Sequence, residues 1–195
     1  YNTNYYGQLF GAHVNNIIEN YLPGVEFSIN NEFIWEEPNE DFLHHELIQL
    51  PDGNYIGIVE EIRDGPIPEG PWTPVFQNLG YVADGIEFEF PWVGDRIVIW
   101  DKDTKEVIWE WNSFDYFSME DYDSLSDTWV QAIGLGRFDW THANALYPEL
   151  NIDGTIDKIY LSSRHLSRIT KIDYNTKNID WNMGLEMPSG DVDCG

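Results

Sequence analysis

Five residues carry most of the chemistry this sequence can offer: His44 and His45 in LHHEL, His142 in DWTHAN, and Arg164 and His165 in LSSRHLSRI. They join a permanent cation to imidazoles that titrate near neutrality. A guanidinium presents a planar fork of donors and each imidazole adds another. The set therefore suits a tetrahedral oxyanion, whose negative oxygens it would hold and stabilise. Three or more imidazoles also suit zinc or copper. An adjacent Arg repels a dication, however, and no HExxH or CxxC spacing is present, so no metal is expected.

Each of these residues also has a structural reading. A lone His in a strand is more often a hydrogen-bonded packing residue than a catalytic one. Neighbours in a strand point to opposite faces, so His45 is expected to turn away from a site that His44 faces, and Arg164 to face it in preference to His165. The candidates are thus His44 or His45, His142 and Arg164 for catalysis, with Asn144 and His165 as substrate-binding residues. Glu46 and Asn144 are expected beside the imidazoles as orienting partners. His13, in GAHVNN, defaults to a structural role, and Trp140 and Trp181 to the core.

The elements that position these residues are strands. Segments 54–62, 85–90, 95–101, 106–111, 158–163 and 168–174 alternate or run apolar, are rich in Ile, Val, Trp and Tyr, and are bounded by Gly, Pro, Asn and Asp. PDGN (51–54) and NIDG (151–154) are tight-turn signals, and the Pro-rich 64–74 stretch is expected to be a surface loop. Helix is predicted only over 14–22 and 118–133. Two repeats stand out. Asp101, Thr104, Lys105 and Trp109 in IWDKDTKEVIWEW match Asp173, Thr176, Lys177 and Trp181 in KIDYNTKNIDWNM, which describes one hairpin used twice. LHHELIQLPDG and THANALYPELNIDG then align His44 with His142 and Glu46 with Asn144. Reused hairpins of this size point to an all-β protein, a β-propeller of four-stranded antiparallel blades, with the histidines at its central channel. At about 40–45 residues per blade, the sequence is expected to form a single domain over 1–195 that is an incomplete ring. Its open sheet edges would favour homo-oligomers.

Composition narrows the function. Lys and Arg number 10 against 35 Asp and Glu, for a net charge of -25. Nucleic acid and anionic membranes, both polyanions, are excluded as expected partners. With 9 Trp, 11 Tyr and 10 Phe the chain can build a core, so charge-driven disorder is not expected. The acidity is read mainly as a solvated surface. NIDGTID (151–157) and DKD (101–103) cluster oxygen ligands but miss the EF-hand spacing. The single Cys194 cannot form a disulfide within the chain. No apolar run reaches the length of a membrane span, and no signal sequence opens the chain.

HHELIQLPDGN, DWTHAN and LSSRHLSRITKIDYNTKNIDWNMG together resemble the bacterial arylsulfotransferase family, chiefly over residues 41–62 and 137–190. The resemblance implies a six-bladed β-propeller exported to the periplasm or cell surface. It also implies transfer of a sulfuryl group from an aryl sulfate donor to a phenol acceptor through a sulfated histidine, with no cofactor. His44 or His45, His142 and Arg164 would surround the sulfuryl oxygens. The nucleophilic histidine of the family follows the W-x-x-G block, here Trp181 to Gly184. It is therefore expected beyond Gly195, and the chain is expected to be an inactive segment of a longer enzyme. A non-catalytic propeller binding an anion or a protein, and a quinoprotein-like propeller, are the competing expectations.

Overall fold

The computed structural model describes residues 2–3, 9–12, 23–30, 32–38, 43–124 and 128–192. Among these residues three antiparallel sheets follow one another along the chain, each with its four strands in sequential order. The first holds β1 (Asn2–Thr3), β2 (Leu9–Ala12), β3 (Gly24–Phe27) and β4 (Phe33–Glu36). The second holds β5 (Leu43–Gln49), β6 (Tyr55–Pro66), β7 (Phe88–Trp100) and β8 (Val107–Asn112). A two-residue strand, β9 (Phe138–Asp139), joins it by parallel pairing with β7. The third holds β10 (Ala143–Leu150), β11 (Ile156–Ser163), β12 (Arg168–Asp173) and β13 (Ile179–Gly184). The all-β class and the four-stranded antiparallel sheets agree with the sequence. His13, Cys194 and the helix expected over 14–22 lie outside the described residues.

The second sheet is covered on both faces, which explains why DRIVIWD runs apolar without alternation. Ile56, Ile58, Ile97, Ile99, Trp109 and Trp111 belong to the core shared with Leu146, Ile159, Leu161 and Ile172 of the third sheet. The alternate residues Tyr55, Val59, Val98 and Trp100 pack with Leu43, Leu47 and Trp35 on the other side. Each large apolar side chain buried this fully contributes about 1.5–3 kcal/mol before entropy is counted.

The repeated hairpin forms twice with the same bonds. Lys105 N donates to Asp101 O at 2.9 Å and Lys177 N to Asp173 O at 2.8 Å. The Asp side chains accept from the Thr104 and Thr176 amides, each at 2.7 Å. Both lysines sit at positive φ, 63° and 61°. The tryptophans differ. Trp109 is buried, stacks on Tyr174 at 5.2 Å and donates to its carbonyl, whereas Trp181 is only half-buried, against Tyr160. Tyr174, in the turn after β12, thus covers Trp109.

Two stretches differ from expectation. Residues 88–90 and 95–100 of two expected strands are parts of the single strand β7, which pairs with β6 through Pro66, so the first residues of the Pro-rich stretch are strand and not loop. At the end of the same stretch a short helix begins, α1 (Thr73–Asn78), with proline at its first turn, where a missing N–H costs nothing. The helix read over 118–133 contracts to α3 (Thr128–Leu135), because residues 118–124 turn back to bury Asp121. A further turn, α2 (Ser113–Tyr116), starts at Asn112, whose side chain accepts from the Phe114 amide. The long β6–β7 hairpin carries an aromatic cluster beneath β9. Trp129 stacks on Phe138 at 3.9 Å, and Trp92 meets Phe138, Trp129 and Trp140 edge-on.

Candidate functional site

His44 and His45 lie in an irregular stretch of β5. Leu43 pairs with Val59 and Leu47 with Gly57, so His44, His45 and Glu46 stand opposite Ile58 alone. His45 takes φ 66°, the left-handed region, and this bulge cancels the alternation of a regular strand. The two rings lie on the same side, 4.2 Å apart, so the expectation that His45 turns away from His44 is corrected. Gly57 makes room for the bulge. A Cβ there would lie 2.8 Å from Leu43 Cδ1 and 3.0 Å from the Glu46 carbonyl.

β9 brings the second half of the cluster. Its pairing sets Asp139 beside Val93, and Trp140 N donates to Val93 O at 2.9 Å. The chain then enters β10 through His142 at φ 44°. Arg164 and His165 lie in the turn between β11 and β12 and not in a strand. Their amides donate to His142 O and Thr141 O, which straps that turn over the start of β10. The alternation argument that set Arg164 against His165 therefore fails here too. His142 thus meets His44 at 4.6 Å, His45 at 5.6 Å and His165 at 4.7 Å between ring centroids.

Carboxylates hold these rings from behind. Asp95, 2% exposed, lies 3.4 Å from His44 Nδ1 and also accepts from Thr141 Oγ1 at 2.5 Å and Ala143 N at 2.6 Å. Asp139 Oδ2 is 2.6 Å from His142 Nδ1, and the Asp139 carbonyl accepts from His165 Nδ1 at 2.6 Å. With Nδ1 engaged in His142 and His165, Nε2 is the nitrogen those two rings turn to the cluster. Burial opposes protonation of His44, yet the Asp95 hydrogen bond and the charges of Asp95, Glu60 and Asp139 hold its pKa above the ordinary value. Burial, then the charges of His44, His142 and Arg164, push His45 down. Burial also opposes ionisation of Asp139, but the hydrogen bond from His142 and three imidazole charges keep that carboxyl below its ordinary range. Burial raises Glu60, which pairs with Asp95 across β6 and β7.

Four of the six candidates from the sequence, His44, His45, His142 and His165, are brought into ring contact. Arg164 is exposed at the rim, close enough for its charge to act on His45. Asn144 is exposed at a second bulge, and among the described residues its side chain makes no hydrogen bond. Among the described residues Glu46 orients no imidazole; its carboxylate accepts from Leu146 N at 3.4 Å and ties β5 to β10. The orienting partners are Asp95 and Asp139, which the sequence reading did not single out. The D-x-x-H spacing of Asp139 and His142 was the one available signal. A cleft of about 340 Å³ opens beside His165, lined by Tyr122, Asp123, Ser167, Leu185, Met187 and Pro188 among others.

Four-stranded antiparallel sheets that bring carboxylate-anchored imidazoles together, from β5 and from the entry to β10, define an all-β protein with a histidine cluster between two of its sheets. Residues 81–188, more than half of the chain, match the arylsulfotransferase (ASST) family, and the chain belongs to that family. The match includes Asp95, Asp139, His142, Arg164 and His165. It also takes in 81–136, which lies outside the segments that carry the resemblance, while His44 and His45 precede the match and join the site through the fold. No curated protein and no solved structure matches the chain. Among the described residues no helix is long and apolar enough to cross a membrane.

Proposed function

We propose that the histidine cluster is the sulfuryl-binding site of an aryl-sulfate sulfotransferase that uses no nucleotide donor. The observation that carries this reading is the convergence of His44, His45, His142 and His165 from two sheets, in a chain of the arylsulfotransferase family. Imidazole N–H groups and the Arg164 guanidinium would take the sulfuryl oxygens, and the Asp95 carboxylate favours the charged form of His44. The aryl group would occupy the cleft beside His165. In the first step the bond from sulfur to the aryl oxygen breaks, a bond from sulfur to a histidine nitrogen forms, and an imidazolium of the cluster protonates the departing phenolate. In the second step a phenol oxygen attacks sulfur, releasing the histidine and losing its proton to the same cluster. Following the family pattern, the sulfated histidine would lie after the W-x-x-G block, beyond Gly195.

The same reading makes the three sheets successive blades of a six-bladed propeller. It is supported by their sequential antiparallel order and by the face-to-face burial of the second sheet. It also carries export to the periplasm or cell surface as the expected location. The test is to incubate the full-length protein, in the presence of a chelator, with a fluorogenic aryl sulfate, with and without an added phenol. Phenol-dependent release with matching sulfation of the acceptor supports transfer. Tight binding of the ester without release would replace this reading with a non-catalytic anion-binding protein.

A further inference from the structure

We propose that His44, His45 and His142 form a binding site for one divalent transition-metal ion of the zinc type. One ring nitrogen from each of the three lies within 4.8 Å of the other two. Zinc–imidazole bonds of about 2.0–2.1 Å put ligand nitrogens about 3.3 Å apart. A small rotation of the rings therefore closes the set, and His45 is exposed and free to supply it. The arrangement behind the rings is the one metal-ligating histidines use, with the second nitrogen held by a carboxylate that fixes the ring and raises its basicity. Asp95 stands behind His44 and Asp139 behind His142.

Arg164 is the residue that argues against a dication, on sequence grounds. In the structure its guanidinium is at the exposed rim, where solvent screens it, and Asp95, Asp139 and Glu60 supply compensating negative charge within the cluster. Three nitrogens leave a fourth tetrahedral position open to water or an anion, which Arg164 would favour. The metal would occupy the ring nitrogens whose N–H groups hold the sulfuryl oxygens, so zinc would inhibit transfer. That consequence alone rests on the sulfotransferase reading.

The test is a titration of the purified full-length protein with Co2+, without any sulfate ester and in excess Mg2+ to fill carboxylate-only surface sites. The expected result is a visible absorption band of low-symmetry cobalt that saturates at one equivalent and is abolished by one equivalent of Zn2+. His45→Asn and His142→Ala should each weaken binding by more than the about 10–100-fold that loss of an outer partner costs, while His165→Asn retains it. His45 is exposed, so its variant tests the site even if His142→Ala fails to fold. No band, an unchanged affinity in His45→Asn, or loss in His165→Asn with retention in His45→Asn would overturn the proposal. Because the transfer assay runs in chelator and this titration without substrate, each can fail alone.

Discussion

His44 in β5 and His142 at the entry to β10 meet edge-on at 4.6 Å between ring centroids, each with its Nδ1 beside a different aspartate. Asp95 reaches both sides of that contact, since the carboxylate next to His44 also accepts from Thr141 and Ala143, the residues flanking His142. One buried carboxylate thereby fixes the relative position of two strands and of the imidazoles they carry.

The opposite shifts of His44 and His45 give a pH signature. The folded-state pKa of His44 lies above its unfolded value, so its contribution to stability is complete below about pH 6.5. That contribution is lost as pH rises through the raised folded value. His45 runs the other way, contributing above about pH 6.5 and losing that contribution as pH falls through its depressed value. Proton NMR of the imidazole Hε1 signals should show His44 titrating above 6.5 and His45 below it. The reverse order would show that Asp95 does not control this pair.

Asp139→Asn should lower kcat about 10- to 100-fold with little change in thermal stability, because the 2.6 Å bond to His142 orients the ring without bearing the fold. Steady-state kinetics with an aryl sulfate, beside a melting curve, checks this. A change confined to KM would instead make Asp139 a contributor to ground-state binding.

Arg168 and Asp121 form the most buried ion pair among the described residues, 1% and 0% exposed with 2.5 Å between them. Asp121 also accepts from Ser189 N and Oγ, and its carbonyl accepts from Trp140 Nε1. Arg168→Ala strands that carboxylate in the interior and should cost about 3–5 kcal/mol in urea unfolding. A loss under about 1 kcal/mol would mean that water reaches Asp121 in the variant.

The two copies of the hairpin separate backbone strain from side-chain contact. Lys105 and Lys177 both occupy the left-handed region, which glycine enters without steric cost. Lys105→Gly should stabilise by about 0.5–1 kcal/mol. Lys177→Gly should gain less, because Lys177 Nζ also sits 5.5 Å over the Trp109 ring. Chemical denaturation of both variants tests the ordering.

Strands and turns were legible because burial on a pleated surface imposes a period of two and left-handed turn positions select Gly, Asn and Asp. The Asp-Thr-Lys hairpin could be read directly from its repeat. What escaped was set by tertiary pairing. The bulge that swings His45 beside His44 depends on the three-to-one mismatch with Ile58, which no local pattern encodes. Asp95 and Asp139 were hidden among 35 acidic residues, and only the parallel β7–β9 contact marks them out. α1 was obscured by the prolines that start it.

The most direct measurement is the rate of phenol release from a fluorogenic aryl sulfate by full-length His142→Ala, with the fold checked by circular dichroism. His142 is the one ring in contact with the other three. A loss of about 10²–10⁴-fold in kcat, with native spectra, is predicted for a group that protonates the leaving phenolate. A folded variant that turns over at the wild-type rate would contradict the assignment of the cluster as the sulfuryl site.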